Sequence, residues 1–198
     1  MGLPKHKEGT FTYADYLQWP DDERWELIDG IAYNMSPAPG TAHQRVVGEV
    51  FRRIADVTDN GPCETFIAPF DVRFPEGAPP SDTASDTDET VETVVQPDIS
   101  VFCDPAKTDE RGAKGAPDLV VEVLFPATAH KDQTEKLRLY ERAGVREYWI
   151  VNAEAAYVMV YRRGASGGFG KPDYYTREER LESEVLGASI PLSTVFGK

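Results

Sequence analysis

The stretch that most constrains this chain is LVVEVLF, Leu119 to Phe125, an apolar run with one carboxylate in it. Side chains alternate across a β-strand, so Leu119, Val121 and Val123 line one face while Val120, Glu122 and Leu124 line the other. Apolar residues on both faces mean a strand covered on both sides. An ionised Glu122 is costly there unless it is paired or bound to a metal. The following pattern predicts a helix from about His130 to Ala143, with Gly144 as its C-terminal cap. Lys136 begins the apolar stripe of that helix, because Leu139, Tyr140 and Ala143 follow it on the same face. A short connection lays the helix back on the sheet and turns Lys136 toward Glu122. Asp98, in VVQPDISVF, is a third charge inside a strand-like run.

Two carboxylates with a few waters make an oxygen site of the kind Mg²⁺ accepts. A lysine beside such a site can hold an attacking water and offset charge on a phosphorane-like transition state. The same pattern also fits a structural ion pair between Glu122 and Lys136, with Asp98 ending a turn. Glu26, in WELIDG, is a fourth acid of interest, although taken alone it reads as a solvent-facing strand residue. His43 opens the first long helix and reads as a cap or a packed residue.

The rest of the chain predicts one domain, residues 1–198. Residues 11–19 read as a short helix capped by Thr12. Asp29-Gly30 between apolar runs predicts a hairpin. Val46, Val47, Val50, Phe51 and Ile54 give a helical period from about Thr41 to Val57. Residues 63–74 read as one strand with a proline interruption, and 94–103 as another. Residues 76–93 are acidic and rich in Pro, Ser and Thr, and read as a mobile surface loop. The segment DPAKTDERGAKGAP reads as a polar loop. REYWIV and YVMVYRR read as two further strands, and their aromatics, Tyr157 and Tyr161 among them, suggest self-association. The order of elements predicts an α/β (α+β) domain with a mixed sheet flanked by helices.

The formal net charge is −13, and no basic residue lies between Arg73 and Lys107. That argues against indiscriminate nucleic-acid binding, which Lys and Arg carry. Arg45, Arg52 and Arg53 form the best basic cluster. Three scattered histidines make no zinc constellation. Cys63 and Cys103 have no C-x-x-C pairing and read as reduced core residues. No apolar run approaches the roughly 20 residues that span a bilayer, and the N-terminus lacks a signal core. A soluble, cytoplasmic protein is expected.

The segments WELIDGIAYNMSPAP, AHQRVVGEVFRRI, QPDISVF, PDLVVEVLFPAT and EKLRLYERAGVREYWIVN together resemble the restriction-endonuclease-like (Uma-type) family of the PD-(D/E)XK nuclease superfamily. The resemblance runs from about Tyr13 to Arg163. It implies a restriction-endonuclease-like fold and a metal-dependent endonuclease that hydrolyses phosphodiester bonds in DNA. Asp98 matches the family's Pro-Asp acid, Glu122 the acid of the (D/E)XK element, and Lys136 a lysine moved to the following helix. Leu124 stands where the superfamily pattern has lysine. Glu26 resembles an extra acid near the first strand, and Phe125 stands where family members carry serine. The implied catalytic set is Asp98, Glu122 and Lys136. The implied Mg²⁺ (or Mn²⁺) ligands are Asp98, Glu122 and Glu26, and a homodimer is implied. A non-catalytic regulatory or interaction protein that keeps the fold, and an enzyme acting on a small phosphorylated substrate, are the alternatives.

Overall fold

The computed structural model of the protein describes residues 10–20, 22–35, 40–75, 88–125 and 133–197. Among these the helices are α1 (Tyr13–Tyr16), α2 (Thr41–Thr58) and α3 (Glu135–Ala143). The strands are β1 (Trp25–Ile28), β2 (Ile31–Asn34), β3 (Glu64–Ile67), β4 (Val72–Arg73), β5 (Val94–Val95), β6 (Ile99–Phe102), β7 (Thr108–Asp109), β8 (Gly112–Lys114), β9 (Leu119–Val123), β10 (Glu147–Asn152), β11 (Tyr157–Arg162), β12 (Asp173–Thr176), β13 (Arg180–Ser183) and β14 (Ala188–Pro191).

The strands form two six-stranded sheets and a separate β13–β14 hairpin, where the sequence predicts one mixed sheet. The first sheet runs β2-β1-β5-β4-β8-β7 and the second β12-β11-β10-β9-β6-β3. Only β9 and β10 are parallel in the second sheet; its other pairs are antiparallel. Helix α2 covers one face of the second sheet, with Val46, Val47, Val50 and Ile54 against Val121, Val123 and Trp149. The other face meets the first sheet and α3, where Ile28, Val72 and Val95 join Val120, Ile150, Leu139 and Tyr140. Strand β9 is therefore buried on both sides, as its sequence requires. Each of its apolar side chains contributes roughly 1.5–3 kcal/mol of burial.

Two strands predicted as continuous each change sheet midway. Residues 63–74 divide into β3, in the second sheet, and β4, in the first. Residues 94–103 divide into β5 and β6 in the same manner. Since β3 pairs with β6 and β4 with β5, the two halves form one long antiparallel ribbon bent across both layers. Pro69 and Pro97 lie at the two bends, where a missing N–H costs no ladder bond. The backbone N–H of Ala68 bonds the carbonyl of Asp98 across the bend at 3.1 Å.

Other sequence readings hold or fail for local reasons. Thr12 and Asp15 form a capping box on α1. Asp29 and Gly30 both have positive φ, which fits the two-residue turn joining β1 to β2. Gly144 closes α3 in the left-handed region. The polar stretch after Asp104 is not a plain loop. It contains the β7–β8 hairpin, which Arg73 holds by bonding Asp109 at 2.5 Å and the carbonyl of Ala113 at 3.2 Å. Most of the predicted mobile segment, residues 76–87, lies outside the described residues. Its end, 88–93, packs: Val91 and Thr93 are buried, and backbone bonds join Val91 to Tyr13 and Glu92 to Gly30.

Cys63 and Cys103 form a disulfide, which corrects the reading of two reduced cysteines. The register pairs Glu64 with Phe102, so the next residues outward, 40 positions apart in sequence, meet with Cα atoms 3.8 Å apart. Disulfides are rare in reducing compartments, so the cysteines no longer support a cytoplasmic location. Among the described residues no helix is long and apolar enough to cross a membrane. The strands expected to drive self-association are internal: Trp149, Ile150, Val151, Val158 and Val160 are all buried within the chain. Tyr157 and Tyr161 are half-buried against Tyr174 and Phe169.

The outer side of the first sheet carries a titratable cluster. Tyr13 and Tyr16 donate to Asp71 at 3.4 and 3.1 Å. Burial, with the Asp71 carboxylate adding to it, pushes the Tyr13 phenol up to about 12 and that of Tyr16 further in the same direction. A raised folded-state value means the contribution is fully present below the unfolded value of about 10 and is lost as pH rises through the folded values. Urea unfolding between pH 8 and 11.5 should therefore show stability falling above about pH 10. Tyr16→Phe should flatten that fall; an unchanged slope would show that these phenols do not carry it.

Candidate active site

The candidate site gathers on the side of β9 that faces the first sheet. Glu122, on β9, is 4% exposed, and Lys136, on the first turn of α3, is 2% exposed. The Lys136 ammonium donates to Oε1 of Glu122 at 2.7 Å and to Oε1 of Glu26 at 2.8 Å. Glu26 lies on β1 of the first sheet and is 0% exposed. It is therefore no solvent-facing strand residue. Its Oε1 also accepts the backbone N–H of Gln96 at 3.1 Å. Tyr140, one turn beyond Lys136, donates its hydroxyl to Oε1 of Glu122 at 2.8 Å. One ammonium thus ties both sheets and α3 together.

Asp98 stands at the N-terminal end of β6, beside the C-terminal end of β9. Its Oδ2 accepts the backbone N–H of Val123 at 2.8 Å, one residue beyond Glu122. Oδ2 also lies 3.3 Å from Nε2 of His43, whose ring sits 2.8 Å from the carbonyl of Val123. With 21% of its side chain exposed, Asp98 is the only one of the four predicted site residues with appreciable solvent access. Glu26, Glu122 and Lys136 thus share one cluster, and Asp98 adjoins it through β9. Among the described residues no three His, Cys, Asp or Glu side chains draw together as a metal-holding group. Glu26, Glu122 and Asp98 accordingly do not enclose one ion by themselves.

Mg²⁺ does not need such an enclosure, because it keeps several waters and takes one or two carboxylates. The carboxylates of Asp98 and Glu122 are hard oxygen donors, the class that Mg²⁺ takes rather than the nitrogen and sulfur donors of a zinc site. The pair also follows from local sequence. Pro97 and the sheet change end β5 before Asp98, while the alternation of β9 turns Glu122 to the Lys136 side.

Three contributors escape a reading of the sequence. Tyr140 reads as core, and only its position one turn beyond Lys136 hints at its role. Gln96 acts through its backbone, which has no sequence signal. Its side chain adds bonds to Tyr16, Asp71 and Arg24. His43 reads as a cap or packed residue; it is buried on α2 and reaches Asp98. The predicted basic cluster is largely spoken for: Arg52 and Arg53 pair with Glu49, and Arg53 also with Asp56, while Arg45 is exposed.

Fold and site define an α+β domain of the restriction-endonuclease-like class. The chain belongs to the Uma2 family, described as "Putative restriction endonuclease", whose family model matches residues 13–193. It is 25% identical over 186 residues to the uncharacterised protein slr1290 of Synechocystis sp. (strain ATCC 27184 / PCC 6803 / Kazusa), covering 92% of this chain and 89% of that one. It is similar in fold, with a TM-score of 0.70 and 19% identity, to a crystal structure from Anabaena variabilis ATCC 29413 titled a "putative nuclease belonging to DUF820". That match covers 94% of this chain and 97% of the other.

The charge clamp should register in stability. Lys136→Met leaves two buried carboxylates without their ammonium and should cost about 3–5 kcal/mol in urea unfolding in metal-free buffer. Tyr140→Phe removes one hydroxyl bond to a charged group and should cost about 1.5–3 kcal/mol. A Lys136→Met loss under about 1 kcal/mol, the level of an exposed pair, would show that the clamp contributes little.

Proposed function

We propose that the protein is a metal-dependent endonuclease that hydrolyses phosphodiester bonds in DNA. The observation that supports this reading is the placement of Glu122 on β9 and of Asp98 at the start of the neighbouring β6, with Lys136 bonded to Glu122. Family membership and the nuclease-like fold support it. In this reading Asp98 and Glu122 hold Mg²⁺ or Mn²⁺, which, when bound, polarises the phosphate and lowers the pKa of a coordinated water.

The chain's own residues do the rest. Lys136 holds the attacking water in line with phosphorus and offsets the negative charge that builds on the phosphoryl oxygens. Water adds to phosphorus, the bond to the leaving sugar oxygen breaks, one proton passes from the attacking water to solvent, and the leaving oxygen takes up a proton from solvent. Glu26 supports the site by fixing the ammonium, and Tyr140 fixes Glu122 from the other side. Asp98, the member with most solvent access, is where the substrate phosphate approaches.

A second reading, a non-catalytic protein that keeps the fold, draws on the burial of Glu26, Glu122 and Lys136 and on the net charge of −13. One experiment separates the two. Supercoiled plasmid, RNA and nucleotides are incubated with wild type, Asp98→Asn and Lys136→Met, with Mg²⁺, Mn²⁺ or EDTA. Expected is nicking of plasmid that needs the metal and falls about 10²–10³-fold in each variant. Activity that survives EDTA, or that the variants retain in full, would overturn the proposal; no turnover of any substrate would favour the second reading.

A further inference from the structure

We propose that Gln96 is a positioning residue for Lys136: its side-chain amide, clamped among Tyr16, Asp71 and Arg24, fixes the backbone N–H that holds Glu26 against the ammonium. The inference rests on the role given to Lys136 above. Oε1 of Glu26 accepts two hydrogens, from the Gln96 backbone at 3.1 Å and from the Lys136 ammonium at 2.8 Å. The place of the Gln96 N–H therefore bears directly on the oxygen that the ammonium meets.

Gln96 belongs to neither strand ladder. Strand β5 ends at Val95 and β6 begins at Ile99, and Pro97, which follows Gln96, has no N–H to donate. The side chain supplies the anchorage that a ladder would give. Its Oε1 accepts from Nε and Nη2 of Arg24 at 3.3 and 2.7 Å. Its Nε2 donates to the hydroxyl of Tyr16 at 3.1 Å and to Oδ1 of Asp71 at 2.9 Å. A guanidinium only donates and a carboxylate only accepts, so the amide has one orientation.

These bonds come from three separate parts of the chain. Tyr16 ends α1, Arg24 precedes β1 and Asp71 precedes β4. Gln96 is 9% exposed, and a largely buried polar group satisfied at both ends rigidifies its surroundings. Hydrogen bonds and one ion pair thus run unbroken from Asp71 and Arg24 through Gln96 to Glu26 and Lys136. An ammonium that offsets charge in a transition state acts from a fixed place. A misplacement of about 1 Å, caused far from the chemistry, costs about 10²-fold in rate. Gln96 meets no substrate in this reading, so its effect falls on kcat and not on KM.

The test is nicking of supercoiled plasmid by the full chain at saturating Mn²⁺, with kcat and KM separated and thermal unfolding run in parallel. The proteins are wild type, Lys136→Met, Gln96→Glu, Asp71→Asn and the double variant Gln96→Glu/Asp71→Asn. Gln96→Glu alone sets two carboxylates face to face. The double variant exchanges donor and acceptor between the two positions and leaves Arg24 an oxygen to bond. Expected is a kcat about 10–100-fold below wild type in Gln96→Glu, with KM unchanged, and recovery in the double variant. If Lys136→Met loses nicking while folded Gln96→Glu keeps the wild-type kcat, the inference is overturned with the nuclease reading intact. A double variant that regains its unfolding temperature but not its kcat overturns it as well. If wild type nicks nothing, or Lys136→Met nicks equally well, the reading of Lys136 fails and the inference falls with it. Should Gln96→Glu not fold, Arg24→Met decides, because Arg24 is exposed and its loss removes both donors to Oε1 of Gln96. A kcat lowered about tenfold at constant KM supports the proposal, and an unchanged kcat overturns it.

Discussion

The ammonium of Lys136 is the point on which the architecture turns. It bonds Glu26 from the first sheet and Glu122 from the second, while its own backbone belongs to α3. Burying three charges is expensive, and replacing a buried ion group by apolar residues is often neutral or stabilising. A charge cluster in this position is therefore weak evidence of a need for stability. It fixes the relative placement of two sheets and a helix where Glu26 and Glu122 converge.

The bent ribbon of β3–β4 and β5–β6 is the second constraint. It crosses from one layer to the other through Gln96-Pro97-Asp98. Within those three residues the backbone N–H of Gln96 reaches Glu26 and the carboxylate of Asp98 reaches Val123. The bend thus delivers one acid to the second sheet while steadying another in the first. The same transition explains why Asp98 retains solvent access: it stands at a strand end, where the sheet no longer covers it.

Charge sets the terms on which a polyanion could approach. The net charge is −13, and the arginines of α2 that looked available are mostly tied to Glu49 and Asp56. Long-range attraction of nucleic acid by the protein as a whole is therefore weak. Binding in the proposed nuclease reading depends on local groups and on the cation, which offsets carboxylate charge where a phosphate must come close.

The sequence by itself determined the elements whose pattern has a strong period or a specific turn. Strand β9, with apolar residues on both faces, could only be an interior strand, and α3 displayed Lys136 on its apolar stripe. Asp29-Gly30 and Gly144 marked a turn and a helix end by their tolerance of positive φ. Tertiary structure alone decided the pairings between distant segments. The disulfide depends on a register set 40 residues away, and the β7–β8 hairpin depends on Arg73 rather than on its own polar sequence. Glu26 looked exposed because WELI does not reveal the sheet that covers it. His43 looked inert because its contact with Asp98 exists only once α2 lies across the end of β9. Side-chain period is a local property of the chain, whereas the partner of a buried charge is chosen by the packing of layers.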